Sequence, residues 1–250
     1  MLIAHATDLS GDDEAAFVHA SALAAAGGAR LVTVHAFGPE EAAARLPDAA
    51  VLAAGWGRTI AHERRRYERS EAVADTVLDA LRALRPGLVV LGTHGHHGLS
   101  ALLRGSVAET IARNIEVPAL VVPNRTPGFV DAASGAIELR RIVVPAGDAT
   151  EGARGLAAAR SLLALAGVID ARIELLHIGV EDPGLAGIGV GVLYEQGKLE
   201  DAIVDVARAH KISLVVMPTR GHDGIGDALL GSHTEHVIRE VGCPVLAVPI

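Results

Sequence analysis

A chain of 250 residues that is half apolar has material for one large domain or two of ordinary size, although at 2% aromatic its core must be filled by Ala, Val, Leu and Gly. The formal net charge of −8 argues against the basic surface of a nucleic-acid binder, so no nucleic-acid partner is expected. Cys243, the only cysteine, excludes an internal disulfide framework, and with no basic leader and no apolar run of about 18 residues the expectation is a cytoplasmic protein without a membrane partner.

The predicted elements alternate. Leu2–Ala6 reads as a strand, and Ser10 is expected to cap a helix over "DDEAAFVHASALAAAGG" that stops at Gly27-Gly28. Strand Leu31–Ala36 follows, then an Ala-rich helical stretch within 40–62 and a charged strand near 65–69. The basic run "HERRRYER" at 62–69 stands out in an acidic chain and reads as a charged edge strand or a solvated helix end. A helix over 71–84 ends at Pro86-Gly87, and strand Leu88–Leu91 runs into "GTHGHHGLSALLRGS", residues 92–106. A helix from Ser106 to Asn114 and strand Ala119–Val122 complete the series. Short β-branched strands between helices predict a parallel sheet covered on both faces.

After "PNRTPGFVDAASGAIELRR" the series begins again. The register that carries Gly105-Ser106 onto Gly231-Ser232 also carries Thr93 onto Thr219, Gly95 onto Gly221, His96 onto His222 and Pro118 onto Pro244, without gaps. "LVTVHAF" is matched more loosely by "IELLHIG", and "LIAHAT" by "RIVVPA". The chain reads as a tandem duplication: a first domain over 1–124, a linker over 125–139 and a second domain over 140–250. The second copy is shorter after its second strand, where the loop-like residues Gly179–Ile188 replace the long helical stretch.

Gly92-x-x-Gly95, nine residues, then Gly105-Ser106 resembles the nucleotide signature of the universal stress protein family, and the strand ending in Thr7-Asp8, "VTVHAF" and the closing "VPALVVP" and "CPVLAVP" resemble the rest of that fold. The resemblance covers nearly the whole chain. It implies two tandem five-stranded, Rossmann-like α/β domains, related to adenine nucleotide alpha hydrolases and packed as an intramolecular pseudo-dimer through their last strands. It also implies strand order 3-2-1-4-5, which puts the ends of strands one and four, Asp8 and Gly92, at the switch point where open α/β sheets bind ligands.

The expected ligand is ATP or a related adenine nucleotide, with Mg2+ a candidate companion ion. The first-copy site implied by the resemblance comprises Ala6, Thr7, Asp8, Ala36, Leu91 and Gly92, followed by His94, Gly95, Arg104, Gly105, Ser106 and Val107. In it Asp8 accepts from ribose hydroxyls or base amino protons, the glycines admit the ribose and phosphates, and the helix opening at Gly105-Ser106 suits an anion. Plain turn glycines, Asp8 as a turn residue and Ser106 as a mere helix cap remain open as alternatives. Arg104 fits a phosphate contact or a solvated loop equally well. His94, His96 and His97 raise zinc, but three loop histidines define no helix-spaced pair and no fourth ligand, and the expectation is no metal site.

The second copy departs from the pattern: Pro218 replaces Gly92, Gly147 stands where Asp8 does, with Asp148 one residue on, and His233 stands where Val107 does. Gly221, Gly231, Ser232 and His233 are expected to form a weaker second site. No Gly-Lys-Ser/Thr occurs and the first copy contains no lysine, which disfavours rapid hydrolysis. A stress regulator that binds adenine nucleotide is the leading reading. A slow ATPase, a nucleotidyl-transfer enzyme and a nucleotide-free scaffold or chaperone-like protein stay open, as does a homodimer of the tandem chain.

Overall fold

The strands expected from short β-branched runs form in both copies. The computed structural model describes residues 1–38, 46–69, 72–93, 107–124, 126, 128–181, 183–219 and 229–249. The first copy contributes β1 (Leu2–Ala6), β2 (Arg30–Phe37), β3 (His62–Glu68), β4 (Leu88–Thr93) and β5 (Ala119–Pro123). Its helices are α1 (Glu14–Gly27), α2 (Ala49–Gly55), α3 (Val73–Leu84) and α4 (Val107–Asn114). The second copy contributes β6 (Arg141–Pro145), β7 (Arg172–Ile178), β8 (Gly191–Glu195), β9 (Leu214–Thr219) and β10 (Val245–Pro249), with α5 (Ala149–Ala166), α6 (Leu199–Ala209) and α7 (Leu229–Glu240).

Each copy is a parallel five-stranded sheet, and the two are joined as a pseudo-dimer through their last strands. The full order is β3-β2-β1-β4-β5-β10-β9-β6-β7-β8. Only the seam is antiparallel, pairing Val245 with Val121, Leu246 with Leu120 and Ala247 with Ala119. Pairing these apolar strands removes two sheet edges that would otherwise be open. The basic run forms β3, one outer edge, where charge discourages further strand addition.

Alternation along each strand divides the core into two layers. Ile3, Leu31, Val90, Leu120 and Leu246 face α1 and α5, whereas Ala4, Val32, Val89, Val121 and Val245 face α3, α4, α6 and α7. Small residues let helices lie close to the sheet, which is how a chain with so few aromatics still excludes water.

Several local expectations shift. Ser10 makes no side-chain capping bond; a 3-10 turn, Gly11–Asp13, intervenes, and α1 starts only at Glu14. The helix expected within 40–62 is confined, among the described residues, to α2, because Asp48 caps it by accepting from Ala50 N–H at 3.0 Å. The strand near 65–69 starts earlier, at His62, where pairing with Leu31 of β2 begins.

The stretch between the copies is bound to the first copy rather than extended into solvent. Phe129, Val130 and Leu139 are buried, and Val130 pairs with Ile137. Trp56 Nε1–H donates to the Ala132 carbonyl at 3.1 Å. On α1, His19 Nδ1–H donates to the Ala15 carbonyl at 2.7 Å, which leaves Nε2 to accept from Phe129 N–H at 3.0 Å. Burial pushes the His19 pKa down to about 4, so the imidazole is held neutral.

Candidate functional site

The crossovers from β1 and β4 leave in opposite directions across the sheet, to β2 and to β5, and this opens a crevice at their carboxyl ends. A cavity of about 580 Å3, counting its open mouth, occupies that crevice. One wall is polar: Thr7 and Asp8 at the end of β1, with Asp12 and Asp13 from the 3-10 turn. The other is apolar: Val73 and Val77 from α3, Leu91 from β4, and Val107, Ala108 and Ile111 from α4.

The polar wall is shaped by short-range bonds. Thr7 Oγ1 accepts from Leu9 N–H and Asp8 Oδ1 from Ser10 N–H, each at 2.9 Å. Between them Leu9 takes φ 64, a left-handed conformation that branched side chains rarely adopt. Behind this turn, His35 on β2 donates Nδ1–H to the Thr7 carbonyl at 2.9 Å. The second copy repeats this tie: His177 Nδ1–H donates to the Ala146 carbonyl at 3.2 Å. A histidine on the second strand thus holds the end of the first strand in both halves.

Asp13 is drawn inward. It is 8% exposed, and its Oδ2 lies 3.1 Å from Nε2 of the fully buried His5. Gly92 makes room for it, because a Cβ at that position would fall 2.6 Å from Asp13 Oδ1 and 3.5 Å from the Ala16 methyl. Packing within the protein thus gives the first motif glycine a structural role of its own. In the second copy Pro218 fills the strand position, and Gly155 on α5 lies against it and against Val144, an added Cβ there being 3.2 Å from Pro218 Cγ and closer still to Val144 Cγ1.

Of the expected site residues, Ala6, Thr7, Asp8, Leu91, Gly92 and Val107 line the cavity. Ala36 is buried near the end of β2 and is not part of the lining. His94, Gly95, Arg104, Gly105 and Ser106 lie outside the described residues, as do His96, His97 and Gly221. Gly231, Ser232 and His233 fall within the α7 backbone. Asp148 caps α5, accepting from Glu151 N–H at 2.8 Å.

Sequence reasoning missed Asp12, Asp13, Val73, Val77, Ala108 and Ile111. The one-turn spacing of Val73 and Val77 marked an inward helix face, but not the crevice as the space it faces. His35 was also missed, although its repetition as His177 was visible.

Other polar clusters are structural. Thr33 Oγ1, His62 and Asp48 line up like a hydroxyl–imidazole–carboxylate set, with Thr33 Oγ1 2.9 Å from His62 Nε2. Ala49 N–H donates to His62 Nδ1 at 3.2 Å, so Nε2 carries the proton and donates to Thr33; such an imidazole cannot deprotonate that hydroxyl. Glu174 is held by Arg141 at 2.9 Å and Arg172 at 2.7 Å, close to the amino ends of the second-copy strands and far from the crevice. Burial pushes the Cys243 thiol up to about 12, which keeps it protonated. Among the described residues, no three His, Cys, Asp or Glu side chains gather in a metal-binding group, and no helix is long and apolar enough to cross a membrane.

A family model described as the universal stress protein family matches residues 2–123 and 180–249. A curated universal stress protein of Thermus aquaticus is 43% identical over 53 residues, which cover 21% of this chain and 39% of that protein. One from Methanocaldococcus jannaschii is 39% identical over 62 residues, 25% of this chain and 36% of that protein. The chain thus spans well under half the length of the curated relatives it matches. The crystal structure of a universal stress protein from Archaeoglobus fulgidus superposes with a TM-score of 0.73 at 18% identity, covering 99% of this chain and 98% of that one. At that identity the likeness shows the fold.

Proposed function

The protein belongs to the universal stress protein family, as a tandem two-copy member, and from this premise we propose that it is a stress-response regulator that binds ATP or a related adenine nucleotide, chiefly in its first copy. In this reading residues 1–124 form the binding domain, 125–139 the linker and 140–250 a second domain with a degenerate site. The observation that carries the reading is the cavity at the β1–β4 switch point, with carboxylates on one side and branched apolar side chains on the other. An adenine ring suits the wall of Val73, Val77 and Ile111, while Asp8 accepts from the base amino group or the ribose hydroxyls. The phosphates then extend towards the amino end of α4, where the helix dipole favours an anion. The bound nucleotide would stabilise the conformation that partners read.

The test is native mass spectrometry of freshly purified protein, followed by calorimetric titration with ATP. One adenine nucleotide per chain is the expected stoichiometry. In the second copy Pro218 stands for Gly92 and Gly147 for Asp8, with Asp148 one residue on. Two equal sites would overturn the preference for the first copy, and no binding would overturn the nucleotide reading itself.

Asp8→Ala probes the site directly. Asp8 is exposed at the crevice mouth, so its loss should leave the fold intact. Losing a charged hydrogen-bond partner costs about 1.5–3 kcal/mol, which corresponds to roughly ten- to hundredfold weaker ATP binding. Unchanged affinity by calorimetry would remove Asp8 from the site.

A further inference from the structure

We propose that Asp13 is the specificity-determining residue that makes this crevice select a ribose over a deoxyribose, and that His5 is its positioning residue. The inference rests on the nucleotide reading above and adds the sugar to it. Asp13 lines the cavity, and its Oδ1 lies against Gly92 near the carboxyl end of β4. A carboxylate can only accept hydrogen bonds. With Asp8 and Asp12 it gives this wall a negative character that repels phosphate oxygens and receives hydroxyl protons, so the hydroxyl-bearing part of a nucleotide belongs here. Oδ2 lies 3.1 Å from His5 Nε2 without hydrogen-bond geometry, and the bare Gly92 backbone leaves room for Oδ1, so packing confines the carboxylate to one slot. An acceptor locked in this way cannot turn to another partner when the ligand offers C–H in place of O–H, and that is how a buried polar group rejects an analogue.

The second copy supplies the independent observation. The register that pairs Ile3 with Ile142 and Gly28 with Gly167 places Val144 at His5, Gly152 at Asp13 and Gly155 at Ala16. There Leu185 and Ile188 pack on Gly152, and the space is apolar. His5, Asp13 and the glycine at 92 are thus absent together from a copy that still builds the same strands and helix. A unit of this fold is thus built without them, in contrast to the His35 and His177 ties, which both copies keep.

The experiment is calorimetric titration of the whole chain with ATP, 2′-deoxy-ATP and 3′-deoxy-ATP. The wild type is expected to bind ATP about tenfold or more tightly than at least one deoxy analogue. Asp13→Ala should reduce ATP affinity to that of the analogue without weakening the analogue itself, which doubles as the control for folding. Asp13→Asn keeps the shape and one accepting oxygen and should retain part of the preference. His5→Leu, which removes the nitrogen that faces Oδ2, should weaken the preference. A wild type that binds all three equally, or an Asp13→Ala variant that keeps the full preference, overturns the assignment and leaves nucleotide binding standing. A wild type that binds none of the three overturns both.

Discussion

Leu246→Asp is expected to destabilise the chain by more than about 4 kcal/mol, the largest effect among the substitutions considered. Leu246 is 1% exposed and pairs with Leu120 across the antiparallel seam that joins the two sheets. The substitution removes a buried isobutyl group and puts a carboxylate among the apolar side chains of the core. Two penalties add: the cavity and lost transfer energy of a Leu deletion, about 2–5 kcal/mol, and the desolvation of a charge. Because the seam is the contact that makes one sheet out of two, both copies should lose cooperativity together. Urea denaturation followed by circular dichroism checks this, with Ile169→Asp as the reference. Ile169 is 99% exposed, so its substitution should stay within about 0.5 kcal/mol of wild type. A Leu246→Asp protein as stable as that reference would mean that the seam is not part of the core.

Acid should loosen the tie between α1 and the segment joining the copies, and the sign follows from His19. Its folded pKa is about 4, below the ordinary value of 6.5, because burial opposes the charged form and Nε2 must accept from Phe129 N–H. Between those two values the unfolded chain takes up a proton that the folded chain refuses. The contribution of a neutral His19 is therefore whole above pH 6.5 and is lost as pH falls towards 4. By pH 4 the loss amounts to about 3 kcal/mol. Other groups also titrate in that range, so the measurement is a difference. The unfolding free energy of wild type minus that of His19→Gln should fall by this amount between pH 7.5 and pH 4. Parallel pH profiles for the two proteins would show that His19 does not carry the effect.

Much of the architecture was legible without coordinates, because its signals are local or repeated. Strand–helix alternation follows from runs such as Leu88–Leu91 set between helical segments, and the duplication follows from two ungapped copies of Thr, Gly, His and Gly-Ser at matching places. The choice of the last strands as the seam was legible too, since "PALVVP" and "PVLAVP" are too apolar to serve as open edges. Half of the expected first-copy positions, among them Asp8 and Gly92, indeed line one crevice, because a parallel sheet brings the ends of its first and fourth strands together.

What the chain order could not reveal depends on contacts between distant residues. Ser10 looked like a helix cap, yet the 3-10 turn after it delays the helix and turns Asp13 inward instead. Gly92 reads as a residue that admits a ligand, and its missing side chain also admits the carboxylate of a residue nearly eighty positions earlier. Pro218 reads as a departure from the motif, and what accommodates its ring is the missing side chain of Gly155 on α5. The sequence by itself determined the alternation, the duplication and the place of the crevice, because periodicity, capping and repetition act between near neighbours or copies. Only the tertiary structure decided which buried groups meet there. Whether His5 reaches Asp13, or Pro218 finds room, depends on strand order and helix placement that bring residues distant in the chain within a few ångströms of each other.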